Sequence, residues 1–427
     1  MKYLAHAAVF TLFFDFYFSF ELFSGGEGRL SQGVDIAGHY KKDTLTFRLK
    51  IADVVLFLLI ISAFLQSKSA AIRPKLRSFF SQMAGFFVYS IFLLLLQYGE
   101  LSLPQFSVSI IYLTKLLSIG FYYIFFCKYF STHGERLILK SLVITSFLAS
   151  ILGILSVIVN QPFVITNRVE YYGQILIVEL LLFSILMQEN SASKLLLATS
   201  RPAAICIFLA GVVSIVMCGK RAPLLGLAVG CGYLTIRSFR ARKNKRKAFA
   251  IIAMVGVGLL FFTELVSRTY VGDAPIADGL APRYVESLRS NGWASGFSGF
   301  DRSTSERIAK IVLSLDLIGQ HPLGIGFWSS IFRYDFLPDS GLQFVLENGV
   351  VLALLLALKI IFFWKELARG LHGESVALAA ALRATIFAML LVSLTVNVLY
   401  MFKIMSVFFI LAALFHARNC SIRPKGV

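Results

Sequence analysis

Residues 266–338 read VSRTYVGDAPIADGLAPRYVESLRSNGWASGFSGFDRSTSERIAKIVLSLDLIGQHPLGIGFWSSIFRYDFLP, and they form the one long polar stretch in a sequence of apolar runs. The stretch contains seven acidic and seven basic residues, and six of the seven bases are arginine. It also contains ten aromatic residues, which is too many for a solvated linker. We therefore expect this stretch to fold and to be large enough to build a site.

The rest of the chain has the composition of a membrane protein. Of its 427 residues, 57% are hydrophobic and 15% are charged, and the mean hydropathy is +0.77. A soluble domain could not bury so much apolar surface, so lipid must be the solvent for most of it. At about 20 apolar residues per crossing, the sequence predicts an all-α polytopic membrane protein with about twelve transmembrane helices and one long extracytoplasmic loop. The predicted spans are 3–23, 50–66, 79–97, 106–130, 137–159, 170–187, 202–218, 222–238, 248–265, 341–363, 376–396 and 398–416.

The predicted spans divide the chain into three parts. Residues 1–265 hold transmembrane helices 1–9, residues 266–338 form the extracytoplasmic loop, and residues 339–427 hold helices 10–12 and a short cytoplasmic tail. Lysine and arginine are concentrated on one side of the spans, for example in the basic run from Arg237 to Lys247, and this bias places that side in the cytoplasm. The net charge of +18 therefore indicates insertion and contact with anionic lipids, not nucleic-acid binding.

Cysteine and histidine patterns predict neither a disulfide framework nor a metal site. The five cysteines are scattered, and no Cys-x-x-Cys or His-Glu-x-x-His spacing occurs. We therefore expect no metal and no cofactor.

Ionisable residues inside the predicted spans fall into two groups. Lys359, Lys403 and Glu21 lie near span ends, where a long side chain can reach the polar surface. The second group lies deeper in the spans and comprises Asp15, Lys115, Glu179 and Arg383. Burying each of these charges unpaired in the membrane would cost a few kcal/mol of free energy. We therefore expect them to pair between neighbouring helices or to line a hydrated path.

An amphipathic helix is predicted inside the loop. Ser303-Thr-Ser-Glu306 is a capping box, in which a hydroxyl and a carboxylate bind the exposed amides of a helix start. Apolar residues then recur at helical spacing to about Gln320, and His321-Pro-Leu-Gly-Ile-Gly326 is a typical stop. This helix is expected to lie along the outer membrane surface or against the bundle. Its apolar face would consist of Ile308, Ile311, Val312, Leu315 and Ile318.

Basic residues at the outer surface are the candidate anion ligands. Arg307 lies in the first turns of the capped helix, where a cation is favoured if it shares a phosphate with the backbone amides. An ion pair with Asp301 would also explain it. Lys220 and Arg221 lie in a very short outer turn, and they could bind a substrate phosphate or only lipid headgroups. Arg168 precedes the sixth span on the same side.

Three motifs together resemble the O-antigen ligase and polymerase superfamily. The segment from Val212 to Ala228 is similar to the apolar–Ser-Arg–small–Leu-Leu segment of that family, although Lys220 stands where serine is expected. Arg307 followed by His321-Pro-Leu-Gly-Ile-Gly326 resembles its Arg…His-Pro-x-x-Gly-x-Gly stretch, and Asp339-Ser-Gly-Leu-Gln-Phe-Val-Leu-Glu-Asn-Gly349 resembles the motif that opens the following span. Ligases of the family usually carry His-Asn where this chain has Asp339-Ser340, and aspartate there is more typical of polymerases.

The resemblance implies an enzyme of the bacterial plasma (inner) membrane. It implies a metal-independent glycosyltransferase that joins undecaprenyl-pyrophosphate-linked oligosaccharides into O-antigen or exopolysaccharide on the periplasmic or exterior face. A flippase and a chain-length regulator are expected partners. Two alternatives stay open: ligase-type transfer of finished glycan to lipid A core or protein, and a polysaccharide transporter or flippase that uses the buried charges.

The resemblance suggests a role for each predicted site residue. We expect Arg221 and Arg307 to stabilise the departing pyrophosphate, with Arg168 and Lys220 supporting them in substrate binding. Asp339 is the candidate base for the acceptor hydroxyl, although it could equally cap the helix that starts at Ser340. The loop tryptophans are expected to stack on sugars or to pack in a core: Trp293 and Trp328.

Overall fold

The computed structural model describes residues 2–14, 17–23, 33–34, 40–41, 45–50, 54–55, 57–59, 61–62, 73–96, 103–159, 168–187, 201–217, 221–240, 302–327, 329–330, 338, 341–369, 375–394 and 396–421. The predicted span 248–265 and the first half of the long loop lie outside these ranges. Helices make up most of what is described. They are α1 Lys2–Phe13, α2 Arg73–Leu96, α3 Leu103–His133, α4 Arg136–Ile158, α5 Arg168–Leu186, α6 Arg201–Met217, α7 Arg221–Arg240, α8 Arg302–Gln320, α9 Leu342–Arg369, α10 Val376–Val392 and α11 Phe402–Ser421.

Several helices are suited to crossing a bilayer. Among the described residues, four segments are both long enough and apolar enough: Gln105–His133, Arg136–Ser156, Leu342–Arg369 and Phe402–Asn419. Four shorter apolar helical segments accompany them: Ser81–Leu96, Tyr171–Leu186, Arg201–Met217 and Val376–Val392. The chain is therefore a helical membrane protein, and the count of about twelve spans stays a prediction.

The N-terminal region differs from the predicted first span. Helix α1 has 12 residues, so it is about 18 Å long and too short for a hydrocarbon layer of about 30 Å. The chain then forms strand β1, Tyr17–Phe23, which pairs antiparallel with β4, Leu45–Lys50. The short strands β2, Gly33–Val34, and β3, Tyr40–Lys41, pair between them. The prediction of one helix over 3–23 is wrong, and residues 18–22 show why, because they alternate apolar with polar side chains, which is the period of a strand.

Helices α5 and α7 run parallel in close contact. A Cβ added to Gly226 would lie 2.7 Å from Leu176, and one added to Gly230 would lie 2.5 Å from Leu180. Because both contacts advance by four residues, the two N-termini lie at the same end of the pair. Helix α6 runs the other way beside α5, since Gly211 contacts Glu179 whereas Ser214 and Tyr172 both contact Gly153 of α4.

The start of α9, the end of α10 and the start of α11 all lie near the N-terminal ends of α5 and α7. Val392, the last residue of α10, lies 3.2 Å from a Cβ built on Gly226. The amide of Gly341, next to the start of α9, donates to the Ser393 carbonyl over 2.7 Å. Near the start of α11, Ile404 packs against Gly173 of α5. The starts of α5, α7, α9 and α11 are therefore gathered together.

The structure describes the side chains of two of the four deep charges, Glu179 and Arg383. Glu179 is fully buried beside Gly211, and neither carboxylate oxygen has a hydrogen-bond partner among the described residues. Arg383 lies over the ring of Trp364 instead of an acid. Lys403 is 1% exposed, so the expectation that it reaches the surface is wrong, whereas Lys359 is exposed. Asp15 and the side chain of Lys115 lie outside the described residues.

The close approach of α5 and α7 can be tested by replacing glycine with valine at a contact position and, separately, at a control position. Gly226→Val should lower the free energy of unfolding by about 1–3 kcal/mol, because the added methyl groups meet Leu176 and Val392. Gly232→Val in the same helix is the matched control, since a Cβ there meets no atom within 4 Å. Thermal unfolding in detergent measures both variants, and equal melting temperatures would contradict this packing.

Candidate functional site

Helix α8 is the amphipathic helix that the loop sequence predicts. It spans Arg302–Gln320 and ends where predicted, with the His321 amide donating to the Leu317 carbonyl over 2.9 Å. Its buried face only partly coincides with the predicted one, since Ile318 packs against the buried cluster but Leu315 does not. Leu317 is 5% exposed and packs with Ile325 and Leu346, whereas Leu315 is 54% exposed. The helix therefore lies against α9 through Leu317, and Leu315 of the predicted apolar face is not part of this contact.

The residues after α8 form a strap, residues 322–326, that crosses α9 where that helix is interrupted. Gly349 has φ 83° and ψ 163° inside α9, so the carbonyls just before it can bind other donors. The Ile325 amide donates to the Leu346 carbonyl over 3.0 Å, and the Gly326 amide donates to the Glu347 carbonyl over 2.9 Å. The Val350 amide donates in turn to the Pro322 carbonyl over 2.9 Å. The strap thus replaces the backbone hydrogen bonds that the interruption removes.

Two glycines allow this crossing. Gly324 and Gly349 have φ of 99° and 83°, a region that L side chains rarely adopt. A Cβ on Gly324 would lie 2.6 Å from the Gly349 nitrogen, and a Cβ on Gly349 would overlap the carbonyl of Leu323. Two of the three motifs that carry the family resemblance therefore meet backbone to backbone, at the glycines that each contains.

The Glu347 carboxylate is the centre of a buried polar network beside the crossing. Ser330 Oγ and Gln343 Nε2 donate to its Oε1 over 2.8 and 2.9 Å, and Tyr400 Oη donates to its Oε2 over 2.9 Å. Asn397 Nδ2 donates to Gln343 Oε1 over 2.6 Å. The network joins residue 330 after the strap, the first turns of α9 and the α10–α11 connection.

Asn348 extends the network to α2. Its Nδ2 donates to Tyr400 Oη over 2.9 Å, and Ser90 Oγ of α2 donates to its Oδ1 over 3.4 Å. Tyr400 lies in the turn between α10 and α11, outside both spans. Burial raises the pKa of Tyr400 well above its ordinary value, and the charge of Glu347 raises it further, so the hydroxyl stays a donor. Tyr89 Oη of α2 also donates to the Leu323 carbonyl of the strap over 2.8 Å.

The chemical role of this network is positioning. Glu347 and Asn348 are each 0% exposed, so no substrate reaches them in this arrangement. Charge-assisted hydrogen bonds from three donors hold the carboxylate and thereby fix the direction of the first turns of α9. Asp339 and Ser340 immediately precede those turns in sequence.

The structure brings two of the predicted arginine positions together. Arg221 and Arg168 are the first residues of α7 and α5. Arg221 lies five residues before Gly226 and Arg168 eight residues before Leu176, which are in contact. At about 1.5 Å per residue the two positions differ in height by about 4 Å, less than one turn. Their side chains lie outside the described residues.

The remaining predicted site residues are less completely placed. Arg307 lies in α8, ten residues before Leu317, and its side chain is not among those described. Four further predicted residues lie outside the described residues altogether: Lys220, Trp293, Trp328 and Asp339. No metal-binding group of three or more His, Cys, Asp or Glu side chains occurs in the part of the chain that the structure describes.

The sequence does not predict the polar network, although the motif from Asp339 to Gly349 contains three of its members: Gln343, Glu347 and Asn348. The signal was present, because Glu347-Asn348-Gly349 places a charge, an amide and a glycine in succession within an apolar run. Ser330, Asn397 and Tyr400 carry no comparable signal, since each approaches Glu347 or its partners only in the folded chain.

Comparison with known proteins supports the motif assignment. Residues 205–355 match the family model described as O-antigen ligase. The match extends from the first turns of α6 to the middle of α9, so it contains Arg221, α8, the strap and the interruption at Gly349. It confirms the predicted resemblance to the O-antigen ligase and polymerase superfamily. No curated protein matches the chain.

A single methyl group added at position 349 should detach the strap from α9. Gly349→Ala should destabilise the protein by at least about 2 kcal/mol, because alanine is strained at positive φ and would overlap Leu323. The amides of Ile325 and Gly326 should then lose protection from hydrogen exchange, measured by mass spectrometry.

Gly319→Ala is the control for this experiment. Gly319 lies in the exposed last turn of α8, where a Cβ meets no atom within 4 Å. Unchanged protection of the strap in the Gly349 variant would show that the observed crossing does not depend on this glycine.

Proposed function

We propose that this protein is a polymerase that joins polyprenyl-pyrophosphate-linked oligosaccharide repeat units on the outer face of the plasma membrane. The family match indicates glycan transfer of the O-antigen ligase or polymerase type. Aspartate at position 339, where ligases usually carry histidine, favours polymerisation within that type. The observation that carries the proposal is the shared height of Arg168 and Arg221 at the gathered helix starts.

The gathered helix starts suit a pyrophosphate leaving group. The N-terminus of a helix carries a partial positive charge and amides without an intrahelical acceptor, so it attracts anions. Helices α5 and α7 present two such ends side by side, each opening with an arginine. A guanidinium can bind phosphate oxygens through two parallel hydrogen bonds and keeps its charge at any physiological pH. Such a site can stabilise the developing charge without a metal.

The proposed reaction is a single displacement. The acceptor hydroxyl attacks the anomeric carbon of the donor glycan, its proton passes to the Asp339 carboxylate, and the bond from that carbon to the pyrophosphate oxygen breaks. The electron pair leaves with the pyrophosphate, whose charge Arg221 and Arg307 stabilise, while Arg168 and Lys220 hold the other phosphate oxygens. The network at Glu347 supports this step from a distance by fixing the start of α9, which follows Asp339.

The arginine roles predict a large loss of product. Arg221→Ala and Arg307→Ala should each reduce polymer formation about 10²–10³-fold, the usual effect of removing one charge-stabilising donor. Gel profiles of the polysaccharide measure this, together with immunoblots of membrane fractions to show insertion.

Arg201→Ala is the matched control. Arg201 also opens an apolar helix and is exposed, but α6 runs antiparallel to α5, so Arg201 lies at the opposite end of the bundle. Full-length polysaccharide from the Arg221 and Arg307 variants would exclude the mechanism. Equal losses in all three variants would indicate a general effect of removing a helix-starting arginine.

Ligase-type transfer is the second candidate, because the matching family model is itself described as O-antigen ligase. The two activities differ in what accumulates when the gene is deleted. A polymerase deletion should leave single repeat units on the lipid carrier, since no step extends them. A ligase deletion should leave long lipid-linked chains that are not transferred. Extraction of the lipid-linked pool followed by mass spectrometry separates the two outcomes, and long chains would contradict polymerisation.

A further inference from the structure

A group of cationic and aromatic side chains lies at the end of the bundle opposite the gathered helix starts. The guanidinium carbon of Arg383 on α10 is 4.2 Å from the ring centroid of Trp364 on α9 and 5.9 Å from that of Tyr233 on α7. The two rings are 5.8 Å apart. Three helices thus meet around one arginine, and the attraction comes from ring faces, which hold a guanidinium without neutralising its charge.

A second arginine shares this place. Arg237 follows Tyr233 by one helical turn on α7, and Arg383 lies 5.9 Å from the Tyr233 ring centroid, so the two arginines are neighbours. Arg237 Nη1 and Arg383 Nε are both buried, and neither has a hydrogen-bond partner among the described residues. Two like charges that repel each other while their buried N–H groups lack acceptors are expected where an anion completes the site.

Arg237 lies near a membrane surface, and Arg383 contacts Tyr233 one helical turn deeper. Arg237 is three residues from the last residue of α7. Trp364 follows the interruption at Gly349 by about 22 Å of helix, which places it in the last third of a hydrocarbon layer of about 30 Å. A long arginine side chain at that depth can extend to the headgroup level. The basic run that begins at Arg237 continues to Lys247, which marks this side as the cytoplasmic one.

The surroundings favour a lipid over a soluble anion. Phe387, one turn after Arg383, is 41% exposed, and its ring centroid is 6.1 Å from that of Tyr233. Phe362 on α9, two residues before Trp364, is 62% exposed. The cations are therefore bordered by exposed apolar surface, which suits acyl chains beneath a charged headgroup.

We propose that Arg237 and Arg383 together bind the phosphate of an anionic phospholipid in the cytoplasmic leaflet. The guanidinium groups share the phosphate oxygens, Trp364 and Tyr233 hold the guanidinium of Arg383 in place, and the acyl chains lie along the exposed apolar side chains. The bound lipid links α7, α9 and α10 at the end opposite the glycan-transfer site. This site is independent of the proposed polymerase activity.

The test uses the full-length protein in detergent with defined lipids. Adding dioleoylphosphatidylglycerol should raise the melting temperature, whereas dioleoylphosphatidylcholine, which has no net charge, should not. Native mass spectrometry should show phosphatidylglycerol retained in preference to phosphatidylcholine. In the double variant Arg237→Gln/Arg383→Gln the retention should fall at least about tenfold. Lys365→Gln is the control, because this exposed lysine lies beside Trp364 and carries the same charge.

Three results would overturn the proposal. The first is unchanged retention of phosphatidylglycerol in the double variant, and the second is an equal loss in the Lys365 control. The third is an equal stabilisation by inorganic phosphate, which would show that the site takes a soluble anion. If the double variant does not fold, Arg237→Lys/Arg383→Lys replaces it. Lysine keeps the charge but loses the paired hydrogen bonds, so lipid retention should be weaker than in the wild type yet still selective.

Discussion

The interruption of α9 at Gly349 is the constraint on which this region of the structure depends. A helix that breaks inside a membrane protein exposes backbone groups that need partners, and an unpaired group is strongly unfavourable there. The strap supplies those partners from residues 322–326, and the Glu347 network fixes the side of the helix next to it. The loop and the span that follows it are therefore one structural unit.

A second constraint is the close packing of α5 against α7. Glycine at positions 226 and 230 lets α7 approach α5 so closely that Leu176 and Leu180 occupy the space of the absent side chains. Small residues are the usual means of close helix contact in membranes, where apolar burial gives no preference for protein over lipid. Because the two helices run parallel, their positive ends point the same way. The parallel helix dipoles thus give this end of the pair a positive electrostatic potential even without the charged side chains.

Much of this architecture is readable in the sequence, and the limits have physical reasons. The approximate bounds of several apolar helices and the end of α8 at Gln320 follow from hydropathy and from helix-stop residues, whereas the contact of the strap with the Glu-Asn-Gly motif is seen only in the structure. The strand at 17–23 was missed because hydropathy alone cannot separate an aromatic strand from a short helix. The Glu347 partners Ser330 and Tyr400 are not predictable from the sequence, because they lie 17 and 53 residues from Glu347 along the chain. The roles of Arg221, Arg307 and Asp339 stay predictions, because they depend on side chains that the described residues do not include.

The position of the interruption also decides which part of α9 is immersed in lipid. Counting from Val350 to Arg369 leaves 20 residues, about 30 Å of helix, which equals the thickness of the hydrocarbon layer. Leu354, Leu358 and Phe362 along this segment are exposed, as expected for side chains that touch acyl tails. The seven residues before Gly349 then stand in the interfacial layer. In a molecule with a hydrocarbon anchor and a sugar headgroup, the anchor would end and the headgroup would begin at that same depth.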